Sequence, residues 1–547
     1  MTKHPCALSL ILAAVSAASC SSSDAAFTQT DAASDAPQET RLTPSTLDRT
    51  FATKPRQDVP VDNPGPGPSD PVIRDRMRAE GQGDLMEQPG EAYLSRPQPG
   101  LSVPQRSAQA KLLTRFVHLS DVQLMDDESP SRLASSDGPS DGVSSAARPH
   151  DAEVCALLNQ AVVTINRIHA NAPVDFVLLG GDNIDNAGSN ELDWFLRIMD
   201  GSPGVKCDSG EPDDPVPGPA NDGKDLFDAP GLVLPWYWTM GNHDILNQGL
   251  INLDVNGDGI VDPSMLANYT GTNASGGTRV YTNNKGGAIL KGTVIADGSR
   301  RPLLRKEVLQ RIAAKTGGPG PSGHGVGVSQ VALGKAHYSF DVGARLRFIV
   351  LDSAIETGSS GGMLRRADVD NVIKPMLDLA KADGRLVLLA AHHALEDFGN
   401  GGGAYGAEQA DAVPQEELKA LFTSYSNVIG AIVGHTHDNR VQWIEGGGRG
   451  YWEIMTSSLV DWPGQLRAVE VFDQGGGDVS LRLTSVDVDV TGAPASVVRG
   501  RAFCAIDWVS GWGYGGSGQP GMGATWRFGF DRKLLADGGF VPRLCPS

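Results

Sequence analysis

Apolar and polar positions along the chain change period several times. The apolar run over 112–120 predicts a strand ending at Asp121. A polar Ser/Asp/Gly stretch fills 126–150. Apolar residues then recur at helical spacing over 151–169, at Val154, Leu157, Leu158, Val162, Ile165 and Ile168. The continuous run over 174–179 predicts a strand buried on both faces, and it ends in Gly180-Gly181-Asp182. A helix over 190–199, an insertion over 201–230 and a strand over 236–240 lead to Gly241-Asn242-His243-Asp244. After a long insertion near 246–335, the pattern resumes with paired strands over 337–342 and 346–352, a helix over 365–382 and a strand over 386–391 ending at His392. A helix over 415–424 and a strand over 428–433 lead to Gly434-His435-Thr436-His437, and strands near 451–456, 466–472 and 479–488 complete the layout.

Strands alternating with helices predict an α/β fold. In open α/β sheets the ligand crevice lies outside the carboxyl ends of the strands. Asp121, Asp182, Asn242, His392, His435 and His437 should therefore meet at one edge, although they are far apart in sequence. Residues 21–110 carry no sustained period and read as a disordered tether and N-terminal arm. The glycine-rich stretch 489–547 reads as a C-terminal extension. The chain has no internal repeat.

Composition is that of a globular protein, with 40% hydrophobic residues; 67 Gly and 35 Pro imply extensive loops. The 65 acidic against 46 basic residues give a net charge of −19, which disfavours a nucleic-acid-binding surface. It does not exclude an anionic substrate, because a metal site supplies local positive charge. At the N-terminus, Lys3, an apolar run from Ala7 to Val15 and Ala17-Ala18-Ser19-Cys20 resemble a bacterial lipoprotein signal over 1–20, with Ala17 where such signals prefer Leu. The expectation is an exported protein, either secreted or held in the cell envelope by a lipid anchor at Cys20 as its only membrane contact. Cys155, Cys207, Cys504 and Cys545 then allow three pairings in an oxidising compartment; sequence proximity favours Cys155–Cys207 and Cys504–Cys545.

Two Asp, an Asn and three His form a mixed oxygen and nitrogen set suited to divalent metals. Asp121-Val122-Gln123, Gly181-Asp182-Asn183-Ile184-Asp185, Gly241-Asn242-His243-Asp244, His392-His393 and Gly434-His435-Thr436-His437 resemble, in that order, the motifs of calcineurin-like metallophosphoesterases. The resemblance covers 111–488. It implies a four-layer α/β/β/α sandwich of two mixed sheets, carrying insertions near 126–150, 201–230 and 246–335. It also implies two divalent ions (Mn, Fe, Zn or Mg). Asp121 and His437 would hold the first ion, Asp182 would bridge, and Asn242, His392 and His435 would hold the second. His243 would act as general acid, oriented by Asp244, in hydrolysis of a phosphate monoester or diester by a metal-bound hydroxide. The family's first motif is Asp-x-His, so Gln123 either ligates through its amide oxygen or not at all. His118 is the alternative ligand, although strand parity turns it away.

His150, His169, His324 and His337 read as structural. His393 is a weaker ligand candidate than His392, and Asp185 is either a support for the site or a loop cap. Trp236 and Trp238 share one strand face and read as core. Asp254, Asn256, Asp258 and Asp262 resemble the start of a calcium loop, but Met265 stands where the bidentate acid belongs; a structural Ca site and a plain turn are both open. The rival to the phosphoester hydrolase is a non-catalytic surface or binding protein on the same fold, with an altered first metal site. No Gly-x-Ser-x-Gly supports a serine hydrolase. Substrate and oligomeric state are not encoded in any of these patterns.

Overall fold

The computed structural model describes residues 42–54, 67–90, 93–99, 107, 110–134, 146–210, 223–272, 278–281, 292–403, 405–512 and 536–538. Its main helices are α1 (Pro71–Ala79), α2 (Val154–Asn171), α3 (Ser189–Asp200), α4 (Lys374–Ala382), α5 (Gln415–Ser424) and α6 (Ala495–Ser510). Its main strands are β1 (Lys111–Leu119), β2 (Phe176–Leu179), β3 (Trp236–Tyr237), β4 (Tyr338–Val342), β5 (Leu346–Leu351), β6 (Leu386–Ala391), β7 (Val428–Val433), β8 (Arg440–Gly446), β9 (Arg449–Met455), β10 (Gln465–Gly475) and β11 (Asp478–Asp487).

These strands form two mixed sheets. One runs β11-β10-β1-β2-β3, with β1, β2 and β3 parallel and β10 antiparallel to β1. The other runs β4-β5-β6-β7-β9-β8, with β5, β6, β7 and β9 parallel between antiparallel edges. Alternation of side chains explains how continuous apolar runs serve two cores. In β5 and β6, Phe348, Val350, Leu388 and Ala390 enter the core shared by the two sheets. Ile349, Leu351, Val387 and Leu389 face the other way, into a second core with Leu377 of α4 and Phe422 of α5. The sheets meet through Phe116 of β1, stacked on Phe176 at 5.1 Å and edge-on to Phe348 at 5.2 Å. Such aromatic pairs contribute about 0.5–1.5 kcal/mol each beyond area burial. Trp236 and Trp238 are fully buried beside Phe195 of α3, as core residues. With α2 and α3 outside the first sheet, the layers are α/β/β/α, as expected.

The three insertions are tied to this frame. Asp126, Ser209 and Arg300, one from each, form a buried knot in which Arg300 Nε donates to Asp126 (3.1 Å) and Ser209 (2.9 Å). Cys155 at the start of α2 is bridged to Cys207, the expected pairing. The second expected bridge involves Cys545, which lies outside the described residues. The arm and the extension contain order that their sequences did not suggest. Asp70 caps α1 by accepting from Val72 N (2.8 Å), and α1 packs through Met77 on Phe503 and Ile506 of α6. No helix among the described residues is long and apolar enough to cross a membrane.

Candidate metal centre

The loops after β1, β2, β6, β7 and β9 converge at one edge. Gln123 N donates to Asp182 O (2.8 Å), Gly434 N to His392 O (2.9 Å) and Leu459 N to Ser120 O (3.0 Å), so neighbouring loops are laced by backbone bonds. Five of the nine non-glycine residues with positive φ among the described residues lie here: Asp121 (50°), Gln123 (42°), Asp182 (50°), His435 (78°) and His437 (57°). Each such conformation costs on the order of 1–3 kcal/mol and persists only where surrounding contacts impose it. Glycines make room. A Cβ on Gly241 would lie 2.1 Å from Asp182 Oδ1, and one on Gly434 2.5 Å from Asp121 Oδ2.

Five of the six expected ligands, Asp121, Asp182, His392, His435 and His437, lie within 4 Å of one another in a chain of contacts. Asp182 Oδ2 lies 3.1 Å from His392 Nε2 and 3.9 Å from His243 Nε2. Asp121 Oδ1 lies 3.3 Å from His437 Nε2 and 3.9 Å from His392 Nε2. His435 Nδ1 is 3.2 Å from His392 Nε2. His392 Nδ1 is fixed by Gly180 O (2.8 Å), which leaves Nε2 for the centre. Asn242 gives its amide N–H to Gly249 O (3.0 Å), while its Oδ1 is buried with no hydrogen-bond partner. A buried oxygen without a partner is costly in a folded protein. Coordination of a cation satisfies it, so the residues present fit a divalent metal.

The two carboxylates dominate the electrostatics. Burial disfavours protonated His392, but the Asp182 and Asp121 charges outweigh it and hold the ring up at about 10. Burial likewise opposes His437, and Asp121 with Asp461 raises it to about 9. Burial raises the Asp121 carboxyl, yet His437 and His392 leave it below its ordinary value. His435 is pushed down to about 3 by burial and by His392. Divalent ions at this centre would therefore compete with protons.

His243 lies next to the cluster, 3.9 Å from Asp182 Oδ2. Its Nδ1 is 2.7 Å from Asp185 O and 3.3 Å from Asp185 Oδ1, and its ring is 15% exposed, so it reaches the mouth of the site. Burial lowers its affinity for a proton, but Asp182 and Asp185 more than compensate. Asp244 does not orient it. Its carboxylate accepts from Gly241 N (2.8 Å), Asn183 N (2.9 Å) and Ile184 N (3.2 Å), because it faces back into the loop it pins. Asp185 is the acid in contact with the His243 ring. His393 stays within reach of the cluster, its ring 4.4 Å from that of His435, although its nitrogens also meet Ser353 Oγ and Ser360 O at 2.8 Å each.

For Gln123, ligation through the amide oxygen and no ligation were both open. Its Oε1 accepts from Arg148 Nη2 (2.8 Å), so the amide oxygen is directed to a cation already present. His118 bonds Thr456 Oγ1 (2.8 Å), consistent with its strand parity. In the candidate calcium loop Asp254 accepts from Asp258 N and Gly259 N, and Asp262 from Val255 N and Asn256 Nδ2, bonds that fit a calcium loop and a plain turn alike. Two contributors were missed, Arg148 and Asp461. Asp461 Oδ2 is 2.5 Å from His437 Nδ1, and its Oδ1 is 2.6 Å from Arg148 Nε. The signal for Asp461 was its position just past a strand that ends on the same edge.

Fold and site together define a metal-dependent hydrolase centre. The family model described as calcineurin-like phosphoesterase matches residues 114–439. The chain belongs to the calcineurin-like phosphoesterase family and is a phosphoric-ester hydrolase. No curated protein matches the chain. Among solved structures, a dimetal phosphatase from Danio rerio is 13% identical, with a TM-score of 0.36, covering 69% of this chain and 100% of its own. A 5'-nucleotidase described as putative from Staphylococcus aureus is 12% identical, with a TM-score of 0.30 and coverages of 72% and 58%. The anchor protein of the inner membrane complex of Plasmodium is 13% identical, with a TM-score of 0.27 and coverages of 72% and 95%.

Proposed function

We propose that this protein hydrolyses a phosphate monoester or diester, with divalent metal held by Asp121, Asp182, Asn242, His392, His435 and His437 and with His243 as general acid. The observation that carries the reading is the converging cluster of Asp121, Asp182 and His392, together with the partnerless Oδ1 of Asn242, whose neighbour His243 donates its backbone N–H to Asp182 Oδ1 (2.8 Å). Bound divalent ions would polarise the phosphoryl oxygens and acidify a water. The chain's own groups do the rest. Asp185 O accepts from Nδ1–H of His243, and the Asp182 and Asp185 carboxylates favour the imidazolium, in which Nε2 carries a second proton. That proton goes to the leaving oxygen, a step typically worth about 10²–10⁴-fold. Gly180 O and Asp461 orient the rings of His392 and His437 in the manner of partners that fix metal-ligating histidines.

The test is hydrolysis of a monoester and a diester by metal-reconstituted protein, with Asp182→Ala and His243→Ala as controls. Equal inactivity of wild type and Asp182→Ala with every metal would remove the enzyme reading. It would favour a binding protein instead, which the altered surroundings of Gln123 permit. An exported, lipid-anchored location is supported by the residues up to Cys20 and by the Cys155–Cys207 bridge, since disulfides persist in oxidising compartments. Mass spectrometry of the mature N-terminus reads it directly; an unmodified Met1 would refute it.

A further inference from the structure

We propose that Arg148, clamped by Asp461, is a fixed cation built into the first metal position, so that the protein holds one divalent ion tightly, at Asp182, Asn242, His392 and His435, and a second at Asp121 and His437 only weakly. The inference rests on the metal-centre reading above and concerns how that centre is loaded.

Three observations carry it. First, Gln123 stands where an imidazole ligand would complete the Asp121 and His437 position, and its amide oxygen accepts from Arg148 Nη2 at 2.8 Å. A cation bound to that oxygen on one side opposes a second cation on the other. Second, Arg148 is permanently charged and wholly buried, bonded to Asp461 through Nε (2.6 Å) and Nη2 (3.2 Å), while its Nη1 is buried with no partner. In a poorly polarisable interior, a unit positive charge weakens the hold of neighbouring groups on a dication. Asp461 screens part of this charge, but its two oxygens are committed to Arg148 and His437, so it offers the metal no ligand in place of Gln123.

Third, Arg148 cannot swing away. Asp151 Oδ2 accepts from Arg148 N (3.1 Å), and Arg132 holds Ala146 O (3.0 Å). Ser69 Oγ donates to Ala147 O (3.2 Å), and Arg74 of α1 reaches Pro149 O (3.5 Å). His150 Nε2 is 2.6 Å from Val460 O, next to Asp461, and Arg501 of α6 donates to Gly464 O (3.1 Å) beyond it. Ser69, Arg74, Asp461 and Arg501 all lie outside the matched span 114–439. The arm and the extension therefore fix the charge at the first metal position.

The experiment uses full-length, chelator-stripped protein titrated with Mn2+, read by equilibrium dialysis and by electron paramagnetic resonance. Wild type should bind one Mn2+ tightly, with the resolved hyperfine spectrum of an isolated ion. A second Mn2+ should bind at least about tenfold more weakly. In Gln123→His combined with Arg148→Met, the second ion should tighten at least about tenfold and give the broadened spectrum of a coupled pair. Arg148→Lys keeps the charge and should leave the second ion weak. Should the Arg148→Met variant not fold, Gln123→His combined with Arg148→Gln, which leaves Asp461 in place to orient His437, carries the same test. Two equally tight ions in wild type would overturn the inference while leaving the proposed function standing, as would variants that leave the second ion weak. Absence of any Mn2+ binding would overturn both.

Discussion

Asp185→Asn isolates the control of His243. The Asp185 carboxylate lies 3.3 Å from His243 Nδ1. At an effective dielectric of about 20, unit charges at that separation interact by roughly 5 kcal/mol. Part of that is recovered in the variant, because the Asp185 carbonyl still accepts from Nδ1 at 2.7 Å and Asp182 Oδ2 remains 3.9 Å from Nε2. The sign is fixed: a neighbouring negative charge raises the ring, so its loss lets the proton leave at lower pH. The alkaline limb of kcat/KM should move down by about one to two pH units. On the acid side of the limb, activity should stay within about threefold of wild type, because His243 is still protonated there. The assay needs phenyl phosphate, whose leaving oxygen requires a proton; 4-nitrophenyl phosphate, with its better leaving group, should respond less. An unmoved limb, or an equal fall at every pH, would refute the role given to Asp185. Asp244→Asn provides the contrast. It disturbs a carboxylate held by three backbone N–H groups, so it should lower the melting temperature without moving the limb.

Gly241→Ala should abolish ion binding measured by calorimetry, because its Cβ would sit 2.1 Å from Asp182 Oδ1 and 2.2 Å from Asp182 N; retained affinity would show that the loop yields. Cys155→Ser with Cys207→Ser should cost about 4 kcal/mol in urea unfolding, from the loop entropy released by a 52-residue separation. His118 is buried and pushed down to about 3, chiefly by burial. Its folded form binds fewer protons than the unfolded chain between its ordinary value near 6.5 and about 3. Stability attributable to it is therefore fully present above pH ~6.5 and falls by about 1.4 kcal/mol per unit as the pH drops through that window. His118→Gln should flatten this slope in pH-dependent unfolding, and an unchanged slope would place the acid sensitivity elsewhere.

The parts of the fold and site that could be read from sequence are those in which one residue's role follows from its own strand. Asp121, Asp182, His392 and His435 each follow an apolar run, and the carboxyl-end rule is local to that run. His118 could be set aside by parity alone. What escaped depends on contacts between distant segments. The pairing of β10 with β1 joins residues some 350 positions apart (Arg467 with His118), and no period announces it. Arg148 sits in a stretch that reads as loop, and its meaning comes only from Gln123 and Asp461. The role given to Asp244 failed for the same reason. Adjacency in sequence suggested a partner for His243, whereas the turn points the two side chains apart and brings in Asp185.

The energetic cost of the site explains why so much structure outside the matched span supports it. Five left-handed residues, a buried partnerless oxygen on Asn242 and a buried partnerless nitrogen on Arg148 all destabilise the fold locally. The strands cannot offset this by themselves, since their packing ends where the loops begin. Backbone lacing between the loops after β1, β2 and β9 restrains the acids, and glycines allow that close approach. On the Arg148 side the same restraint is supplied by Ser69, α1 and the loop carrying Asp461, which hold residues 147–150, with Arg501 of α6 bonded to that loop at Gly464. A loop held from two sides cannot relax to pair its charges better. The strained geometry thus keeps Asp121, Asp182, His392 and His437, already paired with one another at 3.1–3.9 Å, converged where a cation can replace the protons between them.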